Sequence, residues 1–417
     1  METIERDVYL RRLMDRRENG MIKVVTGIRR CGKSYLLFRL FKQHLLESGV
    51  APERIVEVAL DDEACEELRD RRALGAYIRQ RVDETGVWYV LIDEIQLCPG
   101  FESLLNGLNR QENLDIYVTG SNSKFLSTDV LTEFRGRGDE VRVYPLSFSE
   151  YAAAHPGDAY DAWDDYCMYG GLPMILSRTT DEMKAGYLTS LCKELYLKDI
   201  VERHGLRGNN VMEELVCVLA SAIGSLSNPN KIAATFKSNG ISASNATISL
   251  YIDYLLDSFL ISRAQRYDVK GRRYIASPYK YYFTDVGIRN AQLGFRQQEE
   301  NHIMENIIYN ELLVRGFAVD VGVVEHAARN AQGKVQRTHL EVDFVCNSGN
   351  RRYYVQSALS IPSREKMQQE QESLVRIGDS FKKIIVVKDR TKLWRNEQGI
   401  VIMDIFDFLL DRDSLDR

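Results

Sequence analysis

Eight consecutive residues, Gly27-Ile28-Arg29-Arg30-Cys31-Gly32-Lys33-Ser34, fit the phosphate-loop pattern G-x-x-x-x-G-K-S/T without a gap. Each residue type has a task in holding the phosphates of a nucleoside triphosphate. Gly27 and Gly32 let the backbone curl where a side chain would obstruct it. Successive backbone N–H groups can then point inward, and a helix starting near Lys33 adds its positive end. The Lys33 ammonium is expected to reach the β- and γ-phosphates, and the Ser34 hydroxyl to ligate Mg2+. Tyr35 ends the expected binding stretch. Cys31 lies inside the loop and is expected to be accessible to alkylating reagents.

Asp93 and Glu94 close a wholly apolar run, WYVLI, some 60 residues further on. This is the Walker B arrangement: Asp93 is expected to bind Mg2+ mostly through its water shell, and Glu94 to orient and polarise the attacking water. Ser121 and Asn122 follow another strand-like run and can sense the γ-phosphate or hold the water. Gly120-Ser121-Asn122 is equally good turn chemistry, so both readings stay open. Arg135 and Arg137 lie in FRGRGDEV. Arg137 is the better candidate for an arginine that stabilises transition-state charge in a neighbouring subunit's site.

These residues need a scaffold. MIKVVT (21–26) is a β-branched apolar run that stops at Gly27, and Leu36, Leu37, Leu40, Phe41 and Leu45 then recur at helical spacing. Further strands are expected at 55–60, 88–92, 115–120 and 141–146, with helices near 73–84 and 101–111. Strands alternating with helices predict a parallel α/β sheet, with strand 115–120 beside the Walker B strand. From Phe148 to about 258 the pattern is helical. Residues 259–283 read as a β-hairpin carrying basic residues. A separate α/β pattern follows, with a helix at 302–315, strands at 317–323, 340–346 and 352–359, a helix at 364–377 and a strand at 383–388.

Composition bounds the function. The chain has 417 residues, enough for two to four domains, and a net charge of −5. A protein that coats nucleic acid is usually basic, so any nucleic-acid contact must use a local patch. The seven cysteines are odd in number and lack CxxC spacing, which argues against a disulfide framework or a zinc site. No run of apolar residues is long enough to span a membrane. The charged N-terminus lacks the apolar stretch of a secretory signal, so a cytoplasmic protein without membrane contact is expected.

GIRRCGKS, VLIDEIQ, VTGSNS and FRGRGDEVRVYPLSFSEY together resemble a prokaryotic group of AAA-type ATPases in the branch nearest the origin-recognition and STAND ATPases. The resemblance continues through YGGLP (169–173), ELYLKDIVERHG (194–205) and TISLYIDYLLDSFLI (247–261), and ends in a C-terminal domain of unknown function. It implies ATP as the nucleotide. It also implies a helical lid whose GGxP-type motif, matched by Gly170, Gly171 and Pro173, packs near the adenine. The residues alone would make YGGLP a helix-breaking turn.

Residues 231–237, 238–243 and 244–257 read as helix, turn, helix, followed by the basic hairpin. Together they look like a winged helix with 244–257 as recognition helix. Residues 225–300 hold ten Lys/Arg against six Asp/Glu, and Arg263, Arg266, Lys270, Arg272 and Arg273 cluster on the hairpin. Such a wing can hold phosphate oxygens. The helix itself carries Asp253 and Asp257 and no Lys or Arg, so a protein-contact role stays open. Glu305 and Glu311 on a helix, Asp343 on a strand and Gln356 on the next resemble the PD-(D/E)XK restriction-endonuclease-like order. Ala358 stands where that pattern needs Lys, so the domain reads as a nuclease fold that has lost cleavage, unless a migrated Lys such as Lys366 compensates.

The expected architecture is therefore α/β: a P-loop AAA-type ATPase core with a parallel sheet (1–147), a helical lid and connector (148–224), a winged helix (225–300) and a restriction-endonuclease-like domain (301–417). The expected function is an ATP- and Mg2+-dependent conformational switch acting on double-stranded DNA, with a homo-oligomer as one possible form. The alternatives are a STAND-like signalling or scaffold ATPase with protein partners and an ATP-regulated nuclease.

Overall fold

The computed structural model describes residues 3–120, 134, 136–206, 210–297, 299–329 and 335–417. The chain divides into two compact units, one of Met1–Pro145 with Asp257–Phe259, the other of Leu146–Leu256 with Leu260–Arg417.

The first unit is built on five parallel strands: β1 (Ile22–Thr26), β2 (Ile55–Ala59), β3 (Trp88–Asp93), β4 (Leu114–Thr119) and β5 (Gly138–Arg142). Their order is β2-β3-β4-β1-β5. All residues of β1, β3 and β4 are buried, as central strands covered on both faces must be. Val25 pairs with Thr119 and Ile92 with Val118, so the C-terminal ends of β1, β4 and β3 lie level. Helix α1 (Asp7–Met14) precedes the sheet. A continuous helical run, α2 (33–47), follows β1. Helix α3 (Arg71–Arg81) begins at Asp70, whose carboxylate accepts from the amides of Arg72 and Ala73. Helix α4 (Phe101–Leu108) buries Phe101, Leu104, Leu105 and Leu108 against the sheet core.

One strand differs from its expected place. β5 starts at Gly138 rather than 141, because the polar Gly138, Asp139 and Glu140 pair with Ile22, Lys23 and Val24. An edge strand is half exposed and tolerates them, so hydrophobicity marked only its end.

The second unit opens with helices: α5 (Phe148–Ala154), α6 (Ala159–Tyr169), a continuous run α7 (181–203), α8 (Asn210–Ser221), α9 (Pro229–Ser238) and α10 (Asn245–Asp257). Ser147 and Glu150 form a reciprocal capping box that starts α5. The hairpin β6 (Ile261–Asp268) and β7 (Arg273–Phe283) follows, then α11 (Val286–Gln292) and α12 (Glu300–Val314). Strands β8 (Ala318–Arg329), β9 (Val335–Ser348) and β10 (Arg351–Ala358) are antiparallel neighbours. Helix α13 (Arg364–Val375) leads to β11 (Lys382–Val387), which runs parallel to β10. The short β12 (Trp394–Arg395), β13 (Val401–Asp404) and helix α14 (Ile405–Leu410) complete the chain.

The hairpin does not stand apart from the C-terminal strands. Residues Arg266–Asp268 of β6 pair in parallel with Val321–Val323 of β8, so one sheet runs β12-β13-β11-β10-β9-β8-β6-β7. The expected divisions after 224 and 300 both fall inside this unit, and sheet hydrogen bonds join the two sides of the second. Among the described residues, no helix is long and apolar enough to cross a membrane.

Candidate functional site

The phosphate loop grows directly out of β1. Gly27 has φ 139°, and a Cβ there would lie 2.1 Å from the Val143 carbonyl oxygen. That backbone sits so close because the Val143 amide donates to the Thr26 carbonyl at 2.8 Å. Arg30 (φ 65°) and Gly32 (φ 99°) are also left-handed, which folds the loop back before the helix begins at Lys33. Ile28 and Cys31 point into the core, while Arg29 is half-buried and Arg30, Ser34 and Tyr35 are exposed. The buried Lys33 Nζ donates to the carbonyls of Gly27 and Ile28, at 3.0 and 3.2 Å, and so lies across the loop.

Cys31 corrects an expectation. It has no exposed surface, and its Sγ lies 3.5 Å from the Val143 carbonyl, so the thiol is not open to reagents. The loop is braced from the N-terminus instead. The buried Arg6 guanidinium donates to the Cys31 carbonyl at 3.0 Å and to the Tyr144 carbonyl at 2.8 Å. Sequence reasoning missed Arg6, which looks like any charged N-terminal residue.

At the end of β3, Asp93 is buried and accepts a hydrogen bond from the Thr119 hydroxyl. The same Thr119 Oγ1 accepts from the Glu94 amide at 3.1 Å. Glu94 is held in a left-handed turn (φ 51°), and the Gln96 amide donates to its Oε2. Thr119, fully buried at the end of β4, thus ties the two acidic residues together. Its signal in the sequence was a polar residue at the C-terminal end of the strand beside β3. Ser121, Asn122 and Arg135 lie outside the described residues.

Arg137 is exposed and is not brought to this loop. Its carbonyl accepts from the amide of Ile22, at the opposite end of β1 from Gly27. Ile22 to Thr26 spans about 13 Å at a strand's rise per residue.

Residues 19–152 match the family model described as AAA domain. The chain is 32% identical over 98% of its length to an uncharacterized protein of Haemophilus influenzae, covering 98% of that protein. Residues 19–152 belong to the AAA domain family. Residues 160–299 match a second family, described as a domain of unknown function. An uncharacterized protein of Methanocaldococcus jannaschii is 26% identical over 84% of this chain and 76% of its own. The Walker-type ATPase of Pyrococcus abyssi has the same fold, with a TM-score of 0.50, 16% identity and coverage of 70% of this chain and 96% of that one.

Beyond the AAA domain, YGGLP does a definite packing job. A Cβ on Gly170 would lie 2.2 Å from Asp285 Oδ1, and the Gly171 amide donates to Asp285 Oδ2 at 2.8 Å. Asp285 also caps α11 through the Ile288 amide. Burial pushes its carboxyl up to about 6 despite these bonds. Pro173 begins a short 3-10 turn, Pro173–Ser177.

The second unit holds a buried charge cluster whose centre the sequence did not reveal. Lys280 Nζ, on β7, lies 2.9 Å from Glu305, 2.7 Å from Glu341 and 3.7 Å from Asp343. The Tyr282 hydroxyl donates to Glu305 at 2.7 Å. Burial works against the Lys280 ammonium, but the carboxylates of Glu305, Asp343 and Glu341 outweigh it and raise its pKa. Asp343 is pushed up to about 7, first by burial and then by the charge of Glu305. Its Oδ2 accepts from the Ser357 amide at 2.9 Å, and its own amide donates to Gln356 at 3.3 Å.

The other C-terminal candidates separate from this cluster. Glu311 pairs with Arg315 at 2.7 Å, one helical turn on. Lys366 pairs with Glu370 at 2.5 Å along α13. Ala358 is buried in an apolar cluster with Tyr354, Leu374 and Ile385, where an ammonium would have no partner. Among the described residues, no group of three or more His, Cys, Asp and Glu is arranged to hold a metal ion.

Proposed function

We propose that this AAA-domain protein hydrolyses ATP with Mg2+ and uses the cycle to switch its second unit, acting on double-stranded DNA. The observation that carries the hydrolytic reading is the Thr119 hydroxyl shared by Asp93 and Glu94, on a strand level with the one that ends in the phosphate loop. The residues fit the nucleotide. Gly27 has no room for a side chain, two further left-handed residues shape the loop, and the first turn of α2 supplies free amides.

In this reading Gly27, Ile28, Arg29, Arg30, Cys31, Gly32, Lys33, Ser34 and Tyr35 form the phosphate cradle. Lys33 exchanges its two carbonyl partners for phosphate oxygens. Ser34 and Asp93 hold Mg2+, which neutralises phosphate charge when bound. Glu94 takes a proton from water as its oxygen bonds to the γ-phosphorus; the bond from phosphorus to the ADP oxygen breaks, and the proton passes on to phosphate. Ser121 and Asn122 sense the γ-phosphate, and Pro173 belongs to the lid beside the adenine. Arg137, at the far end of β1, serves a neighbouring copy if a homo-oligomer forms.

DNA is favoured by the hairpin's cations, in a chain that is acidic overall. Helix α10, with Asp253, Asp257 and no Lys or Arg, supports backbone rather than base contacts. It also supports the second reading, a STAND-like switch with protein partners. Nuclease-like cleavage is disfavoured, because Lys280 is already committed to three carboxylates.

The test is steady-state ATP hydrolysis against rising duplex DNA, with Glu94→Gln as the catalytic control. DNA-stimulated turnover that the variant abolishes supports the reading. Slow turnover indifferent to DNA shifts it to the signalling switch, and wild-type turnover by Glu94→Gln removes the assigned base.

A further inference from the structure

Three turns of the second unit meet around a groove of about 580 Å³. The hairpin turn between β6 and β7 brings Lys270 and Arg272. The turn between β9 and β10 brings Asn350, with Arg351 and Arg352 at the start of β10, and the segment after α13 brings Asp379. These residues are far apart in the sequence and meet only because β6 joins the C-terminal sheet beside β8.

The charges are unequal. Four cations face one carboxylate, and that carboxylate is already engaged. Asp379 Oδ2 accepts from the Tyr354 hydroxyl at 2.6 Å, and Oδ1 accepts from the Phe381 amide at 3.3 Å. Arg352 is a fixed cation: its Nε donates to Asn347 at 2.7 Å, and its guanidinium lies over the rings of Tyr267 and Phe381. Lys270, Arg272 and Arg351 are exposed. Lys270 reaches the Glu325 carbonyl at 3.2 Å, and Arg351 lies over the Phe317 ring and makes a long, solvent-screened pair with Asp416 at 3.7 Å.

We propose that this groove, built jointly by the β6–β7 and β9–β10 turns, binds the phosphodiester backbone of a nucleic acid. The proposal rests on the DNA-directed reading above and locates its contact surface. Cations on two separate turns suit a charged strand that passes along the groove, rather than one terminal phosphate. Arg352 covers one face of Tyr267 and one of Phe381, which favours backbone contact over base stacking. Binding is therefore sequence-tolerant and steeply dependent on salt.

The experiment measures anisotropy of labelled duplex DNA, single-stranded DNA and duplex RNA over a salt series. It compares the full-length protein with the triple variant Lys270→Ala, Arg272→Ala, Arg351→Ala. Each lost phosphate contact lowers the slope of log affinity against log salt by about 0.9 on B-DNA, so a loss of about two to three in slope is expected. Basal ATP hydrolysis and melting temperature should be unchanged. If the triple variant melts early, the single Arg272→Glu variant replaces it and should weaken binding at least tenfold. Undiminished binding by the variants overturns the groove and leaves the DNA reading intact. Variant-sensitive binding to single strands or RNA alone supports the groove and removes duplex DNA as target. Absence of binding to all three nucleic acids by the unsubstituted protein overturns both.

Discussion

The hydroxyl of Thr119 donates to the carboxylate of Asp93, and both side chains are buried at the ends of adjacent parallel strands. The same oxygen receives the Glu94 amide, so one small side chain orients the residue assigned to the metal and the residue assigned to the water. Valine keeps the shape of Thr119 and loses both bonds. Hydrogen bonds to charged groups contribute about 1.5–3 kcal/mol, so Thr119→Val is expected to cut kcat about ten- to a hundredfold. Thr119→Ser should recover most of the rate. Equal rates for the two variants in steady-state assays would remove the role.

Cys31 is buried against Val143, whereas Cys65, Cys167 and Cys217 are partly exposed. Native protein treated with a maleimide should label at those three positions before Cys31, which should react only on denaturation. Peptide mass mapping over time reads the order. Early labelling of Cys31 would mean that the loop opens readily in solution.

The candidate nucleotide site was legible as a pattern because its parts are local. β1, β3 and β4 are buried on both faces, so each reads as an apolar run ending in a chemically marked turn. Thr119 was marked only as a polar residue ending the strand beside β3, and its bonds to Asp93 and Glu94 emerge only in the fold. Arg6 was hidden for the same reason, since its partners at 31 and 144 are joined to it only by the fold. In the second unit, Glu305, Asp343 and Gln356 could be read as a pattern, but Lys280 could not. It comes from a hairpin that looked like a free wing, and only the pairing of β6 with β8 brings that hairpin into the same sheet.

The Lys280 cluster should matter most when broken on one side. Removing one partner of a buried ion pair costs about 3–5 kcal/mol, because the remaining charges stay buried. Lys280→Met is expected to destabilise the protein on that scale in denaturant unfolding. Adding Glu305→Gln should recover part of the loss by removing one of the stranded carboxylates. Purely additive effects of the two substitutions would show that the pair does not act as a unit.

Asp343 makes the stability of this cluster depend on pH with a defined sign. Its folded pKa is pushed up to about 7 by burial and the neighbouring Glu305 charge, while an unfolded aspartate titrates near 3.9. Between those values the folded state holds a proton that the unfolded state has released. Stability from this group is therefore full below about pH 4 and falls as pH rises towards 7. Asp285, pushed up to about 6 by burial, acts in the same direction, so the wild-type curve alone does not isolate Asp343. The difference between wild type and Asp343→Asn does. The asparagine cannot titrate, so its stability relative to wild type should rise between pH 4 and 7 and level off above. Denaturant midpoints across that range give the difference directly. A flat difference would mean that Lys280 keeps Asp343 ionised throughout.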